Sequence, residues 1–129
     1  MIAPIPENVE KVATITIDAA YKVYNALGPG LLESAYEYCL IHELQKRGLK
    51  VDSQVNLPIY YDNTFINMGY RIDILVDNCL VIEVKAIEEI IPLHISQTLT
   101  YLKFSGNRLG LIINFNTRIF KDGLRRVAR

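Results

Sequence analysis

The stretch RIDILVDNCLVIEVKA, residues 71–86, constrains the fold most: it reads as two apolar strands around a turn, yet it carries Asp73, Glu83 and Lys85. An unpaired carboxylate is costly to bury, so such groups lie at the surface, beside a neutralising partner, or on a metal. Strand alternation assigns the sides. Ile72, Ile74 and Val76 share one side of the first strand, and Arg71, Asp73 and Leu75 the other. On the second strand Leu80, Ile82, Val84 and Ala86 oppose Val81, Glu83 and Lys85. The apolar sets belong to a core. Asp73, Glu83 and Lys85 are therefore predicted to emerge together on the opposite face, which Leu75 and Val81 keep from being freely solvated.

The turn sets the register. A two-residue turn at Asp77-Asn78 pairs Asp73 with Ile82 and separates the charges, whereas a three-residue connection over 77–79 pairs Asp73 with Glu83. Like charges opposed across strands repel, so that pairing calls for positive charge nearby. Lys85 supplies one charge, and a divalent cation would supply two more. An odd-length connection or a bulge is the expectation. Two carboxylates, water and the Val84 carbonyl make the oxygen-rich shell that Mg²⁺ or Mn²⁺ favours. Such an ion lowers the pKa of a bound water, and Lys85 is placed to orient that water or offset transition-state charge. A surface ion pair of little energetic weight is the other reading of the same residues.

The 129 residues are expected to form one domain with a sizeable core. No apolar run is long enough to cross a bilayer, and MIAPIPENVEKV lacks the basic and apolar regions of a signal peptide. Cys39 and Cys79 have no CxxC and no His at ligand spacing, so each is expected to be a buried thiol, which points to the cytoplasm. The net charge of zero argues against a strongly basic nucleic-acid binder. Residues 100–129 nevertheless hold seven bases against one acid, Asp122. That tail suits phosphates and a solvated helix end equally well.

Apolar spacing predicts helices over about Glu7–Leu27, stopped by Gly28-Pro29-Gly30, and Leu32–Arg47, stopped by Gly48. Strands are predicted over Val51–Tyr61, at an edge because of Pro58, then Phe65–Val76 and Leu80–Ala86. A helix over Leu93–Phe104, a strand over Leu109–Phe115 and a short closing helix over Lys121–Val127 follow. The implied architecture is α/β: a mixed four-stranded sheet of a three-strand meander, a crossing helix and a fourth strand, flanked by helices. Glu33 falls in the first turn of the second helix, where the dipole favours a carboxylate, and Tyr36, one turn on, is expected to pack. His94, Gln97 and Tyr101 recur on one face of the crossing helix, where a lone His also suits a structural role.

Together these pieces resemble the PD-(D/E)XK nuclease superfamily, and within it the small GxxExxY family. The namesake motif stands as Gly30-Leu31-Leu32-Glu33-Ser34-Ala35-Tyr36, the catalytic pattern as Asp73 followed by Glu83-Val84-Lys85, and a Q-x-x-x-Y element as Gln97 to Tyr101. Ile72 stands where the superfamily name has proline, and Tyr24 where the family pattern has a histidine. The resemblance implies a restriction-endonuclease-like core and a metal-dependent nuclease. Asp73, Glu83, Glu33 and the Val84 carbonyl would hold Mg²⁺ or Mn²⁺, and Lys85 would serve the attacking water. Gln97, Tyr101, Tyr36 and His94 would support or touch the substrate, nucleic acid and more specifically DNA. Two rivals remain: a non-catalytic module on the same fold that binds nucleic acid or a protein, and a homodimer through Tyr60, Tyr61 and Phe65.

Overall fold

A computed structural model describes residues 2–129. Helix α1 spans Glu7–Leu27, as its spacing predicts. Its buried stripe of Val9, Val12, Ala13, Thr16, Ala19, Ala20 and Val23 explains how the β-branched Thr14-Ile15-Thr16 run stays helical: tertiary packing outweighs propensity. Glu7 and Glu10 stand in its first turn, where negative charge complements the helix dipole. Helix α2, Glu33–Lys46, buries Tyr36, Leu40 and Leu44.

Strand β1, Val51–Asn56, then β4, Arg71–Val76, and β5, Leu80–Lys85, form an antiparallel meander. Between β1 and β4 the chain makes a separate two-stranded hairpin, β2 (Ile59–Tyr61) with β3 (Thr64–Ile66). The long strands expected over 51–61 and 65–76 are thus each broken. Pro58 has no N–H to donate to a ladder, and the chain turns at Gly69 with φ 74°. The hairpin's Asp62-Asn63 turn has both residues at positive φ, the type I′ geometry that tight hairpins prefer.

Helix α3, Pro92–Ser105, carries the chain over to β6, Leu109–Asn114, which pairs parallel with β5. The closing segment departs from expectation. Residues 120–123 make one 3-10 turn, and Leu124–Ala128 is a strand, β7, antiparallel to β6. The fully buried β6 would otherwise leave an open edge, and β7 covers it. Before β7 begins, Gly123 passes so close to the Asn114 carbonyl oxygen that a Cβ would come within 2.0 Å of it, so only glycine fits there. The sheet is therefore five-stranded and mixed, in the order β1-β4-β5-β6-β7, with three α-helices around it, consistent with a restriction-endonuclease-like fold.

Helices α1 and α2 cover one face of the sheet, over Ile74, Val76, Leu80, Ile82, Val84, Leu109, Leu111 and Ile113. Helix α3 covers the other, where Tyr101 and Leu102 pack with Val81 and Ile112. Ile72, expected beside Ile74 and Val76, joins this second group with Leu57. Val55, paired with Ile72, packs in the same group, and Gln54 between the pairs Ser53↔Ile74 and Val55↔Ile72 stands at φ 49°. Cys39 and Cys79 are unbonded and only half-buried, less enclosed than expected. No helix among the described residues is long and apolar enough to cross a membrane.

Candidate active site

The chemistry gathers where β4 parts from β5. Their register runs Val76↔Leu80, Leu75↔Val81 and Ile74↔Ile82, across a three-residue connection in which Asp77 and Asn78 have positive φ. Cys79 is the extra residue: its N–H donates to the Val76 carbonyl at 3.0 Å. The odd-length connection has the expected effect of placing Asp73 opposite Glu83. There the backbone pairing stops and side chains replace it. The Asp73 N–H donates to Glu83 Oε2 at 3.1 Å, and the Val84 N–H donates to Asp73 Oδ2 at 2.9 Å. Each carboxylate thus locks the other's strand. On its far side β5 stays in the sheet through the parallel pairs Glu83↔Ile112 and Lys85↔Asn114.

The interlock has an electrostatic cost. Burial, and then the Asp73 charge, push Glu83 from its usual 4.5 up to about 8. Burial likewise raises Asp73, offset in part by the Val84 N–H and Lys85. Lys85 is half-buried and forms no ion pair within 4.0 Å among the described residues, so its ammonium is not committed to either acid.

Helix α2 brings two more carboxylates to this point. Glu33 Oε2 accepts from the Ala86 N–H at 3.2 Å, just past Lys85. The geometry that aims Glu33 comes from the rest of its motif. Gly30 turns at φ 113°, a value few other residues adopt. The Tyr36 hydroxyl donates to the Gly28 carbonyl at 2.5 Å and accepts from the Leu31 N–H at 3.1 Å. Its ring, fully buried, stacks on Phe115 at 4.6 Å. Tyr36 therefore pins the loop before α2 and does not line the site.

Glu37, four residues after Glu33 and so on the same helix face, was not singled out by sequence reasoning. Burial raises its pKa, and Asp73 and Glu33 are among the charges it feels; Gln54 Nε2 donates to Glu37 Oε1 at 2.9 Å. The repeat of acids at i and i+4 was a legible signal, whereas the Gln54 kink was not. Asn114, also missed, is buried at the end of β6 and bonds both the N–H and the carbonyl of Ile87, fastening the segment after Lys85.

Among the described residues no three Asp, Glu, His or Cys side chains gather closely enough to hold a metal ion. The oxygen donors at the fork fit a hard cation in kind. The raised pKa values of Glu83 and Asp73 come first from burial, and for Glu83 next from the Asp73 charge, which Lys85 offsets in part. The close pair is Asp73 and Glu83. Glu33 reaches the backbone of Ala86 instead.

Lys85 also lines a cleft of about 670 Å³ between α3 and the β2–β3 hairpin, with His94, Gln97 and Tyr101 on its helical wall. Gln97 and Tyr101 thus share a cavity with Lys85. Burial, followed by Glu83 and Asp73, pushes Tyr101 up to about 12. His94 has a structural task, since its Nδ1 accepts the Ile91 N–H at 3.0 Å and caps α3. Tyr24 lies outside the site and donates to the Thr117 carbonyl at 2.6 Å.

The profile of the PD-(D/E)XK nuclease superfamily matches residues 10–127. The chain belongs to the PD-(D/E)XK nuclease superfamily. No curated protein and no solved structure shows a significant match. PD-(D/E)XK nucleases generally use divalent metal ions.

Proposed function

We propose that this PD-(D/E)XK domain, a single domain of the GxxExxY branch, is a Mg²⁺- or Mn²⁺-dependent phosphodiesterase acting on nucleic acid, DNA in particular. The observation that carries this reading is the mutual lock of Asp73 and Glu83 with an uncommitted Lys85 beside it. Asp73 and Glu83 would hold the ion with the Val84 carbonyl, and Glu33 would flank it. The ion would supply a water of lowered pKa and an electrophile for the phosphate. Lys85 orients the attacking water and offsets the charge that builds on the phosphoryl oxygens. Gln97 steadies the substrate, Tyr101 braces that wall, and the Tyr36 clamp fixes where Glu33 points.

The test uses labelled single- and double-stranded DNA with Mn²⁺. Lys85→Ala and Asp73→Asn should each lower cleavage by about a hundredfold or more. Undiminished cleavage in both would overturn the assignment. That no three such groups gather among the described residues is the observation that favours one rival, a module that keeps the fold and binds without cutting. Calorimetry with Mn²⁺ separates the two: an enzyme shows a saturable heat that Asp73→Asn abolishes, and the module shows none.

A further inference from the structure

The cleft beside Lys85 has walls unlike those expected for gripping a duplex. Affinity for double-stranded DNA comes mainly from Lys and Arg set against phosphates. Of the residues lining this cleft only Lys85 is a permanent cation, and His94 Nδ1 is already occupied as an acceptor. The basic tail does not make up the deficit. Arg126 is held on the α1 side by both oxygens of Glu10, at 2.6 and 2.7 Å, and Arg118 and Arg125 line a separate pocket with Glu88 and Glu89.

The walls are instead apolar and aromatic. Met68 and Tyr70 lie on the hairpin side, and Leu93 and Phe104 on the α3 side. Met68 and Leu93 are each 69% exposed and Tyr70 is 43% exposed, although they stand within reach of a polar, acidic site. The hairpin's own alternation extends this surface. Ile59 and Ile66 pair on the cleft side, and Tyr61, two residues from Ile59, faces the same way at the tip with 77% of its surface exposed. Tyr60 and Phe65 pack against each other on the outer side, their rings tilted by 58° with centroids 5.5 Å apart, which stiffens the hairpin without filling the cleft. Next to the cleft-lining Phe104, Lys103 holds its Nζ 5.7 Å from the ring centroid, a cation beside an aromatic wall.

Apolar walls with flat rings, few cations and a catalytic floor are how non-specific single-strand sites are built: bases stack on rings while a few cations follow the backbone. We infer that the hairpin and α3 form a stacking cleft for unpaired nucleotides, so that the substrate enters as single-stranded nucleic acid. This rests on the nuclease reading and narrows its substrate class. A duplex, whose bases face inward, offers these walls nothing to stack on.

The test is binding in EDTA, where nothing is cut, measured by fluorescence anisotropy. The probes are a short labelled oligodeoxynucleotide of mixed sequence and the same strand annealed to its complement. The single strand should bind at least tenfold more tightly than the duplex. Tyr70→Ala and Met68→Ala, which shorten exposed side chains, should each weaken single-strand binding roughly five- to fiftyfold, and Tyr61→Ala by a smaller factor. Tyr38→Ala, an exposed aromatic on α2 outside the cleft, should leave binding unchanged. Duplex binding as tight as single-strand binding, or single-strand affinity unmoved by both Tyr70→Ala and Met68→Ala, overturns the inference. If the protein cuts duplex and single strand equally well with Mn²⁺, the inference falls and the nuclease reading survives. If it binds single strands through the hairpin and cuts nothing, the reverse holds.

Discussion

The two faces of the sheet are drawn from alternate residues of the same strands, yet they are filled to different depths. Against α1 and α2 the core is broad and dry, running from Val9 to Phe120 through long aliphatic side chains. Against α3 it is a small group around Leu102, Val81 and Ile112, and beyond it lie the cleft and Lys85. The difference suggests a division of labour: the thick side supplies the stability that lets the thin side hold buried acids and an open cavity. Sites that carry unfavourable electrostatics need a surrounding structure that over-determines them.

Three measurements break or sharpen that contrast. Leu109→Ala, on the thick face, should cost about 4 kcal/mol in denaturant unfolding, near the top of the usual range for buried leucines. Leu102→Ala, on the thin face beside the cleft, should cost about 2–3 kcal/mol because its surroundings collapse more easily. Equal losses would remove the distinction.

A second measurement follows stability against pH in metal-free protein. Because folding raises the Glu83 pKa from 4.5 to about 8, the folded state binds the proton more tightly. That contribution is fully present below about pH 4.5 and is lost as the pH climbs through 8. The raised Asp73 and Glu37 act in the same direction. Glu10 and Glu43, lowered by their Arg and Lys partners, titrate below 4.5 and leave this window alone. The melting temperature should therefore fall between about pH 5 and pH 9, and Glu83→Gln should flatten most of that fall. A wild-type profile already flat there would show that the fork stores no such strain.

The smallest effect belongs to the thick face's contact with the site. Tyr36→Phe deletes two hydrogen bonds while keeping the Phe115 stack, and should cost about 1–2 kcal/mol. Its larger signature should be in cleavage, through a displaced Glu33. A loss of stability with cleavage intact would make the tyrosine purely structural.

Much of the fork was legible in the sequence because alternation and register are local rules. Once Asp77 to Cys79 is read as an odd-length connection, Asp73 must oppose Glu83. The helices were legible for the same reason, α1 to its end residues. What escaped were features set by distant partners. Nothing within Lys121–Val127 reveals that β6 offers it an unpaired edge, so an arginine-rich segment read as a helix became β7. Ile72 packs with the far-side group of Leu57 and Val55, partners that its own strand does not reveal. Glu37 has an acid-facing role only because α2 lies over the fork, and His94 became a cap because the Ile91 N–H needed an acceptor.

The Asp77–Cys79 connection gives the sheet something like a reading frame. Adding one residue between Cys79 and Leu80, with the three-residue connection kept, would shift β5 by one step against β4 and bring Ile82 opposite Asp73, turning Glu83 and Lys85 out of phase with it. Every residue of the catalytic pattern would still be present in such a chain. A one-codon insertion beside this bend could thus silence the domain as thoroughly as losing the acids themselves.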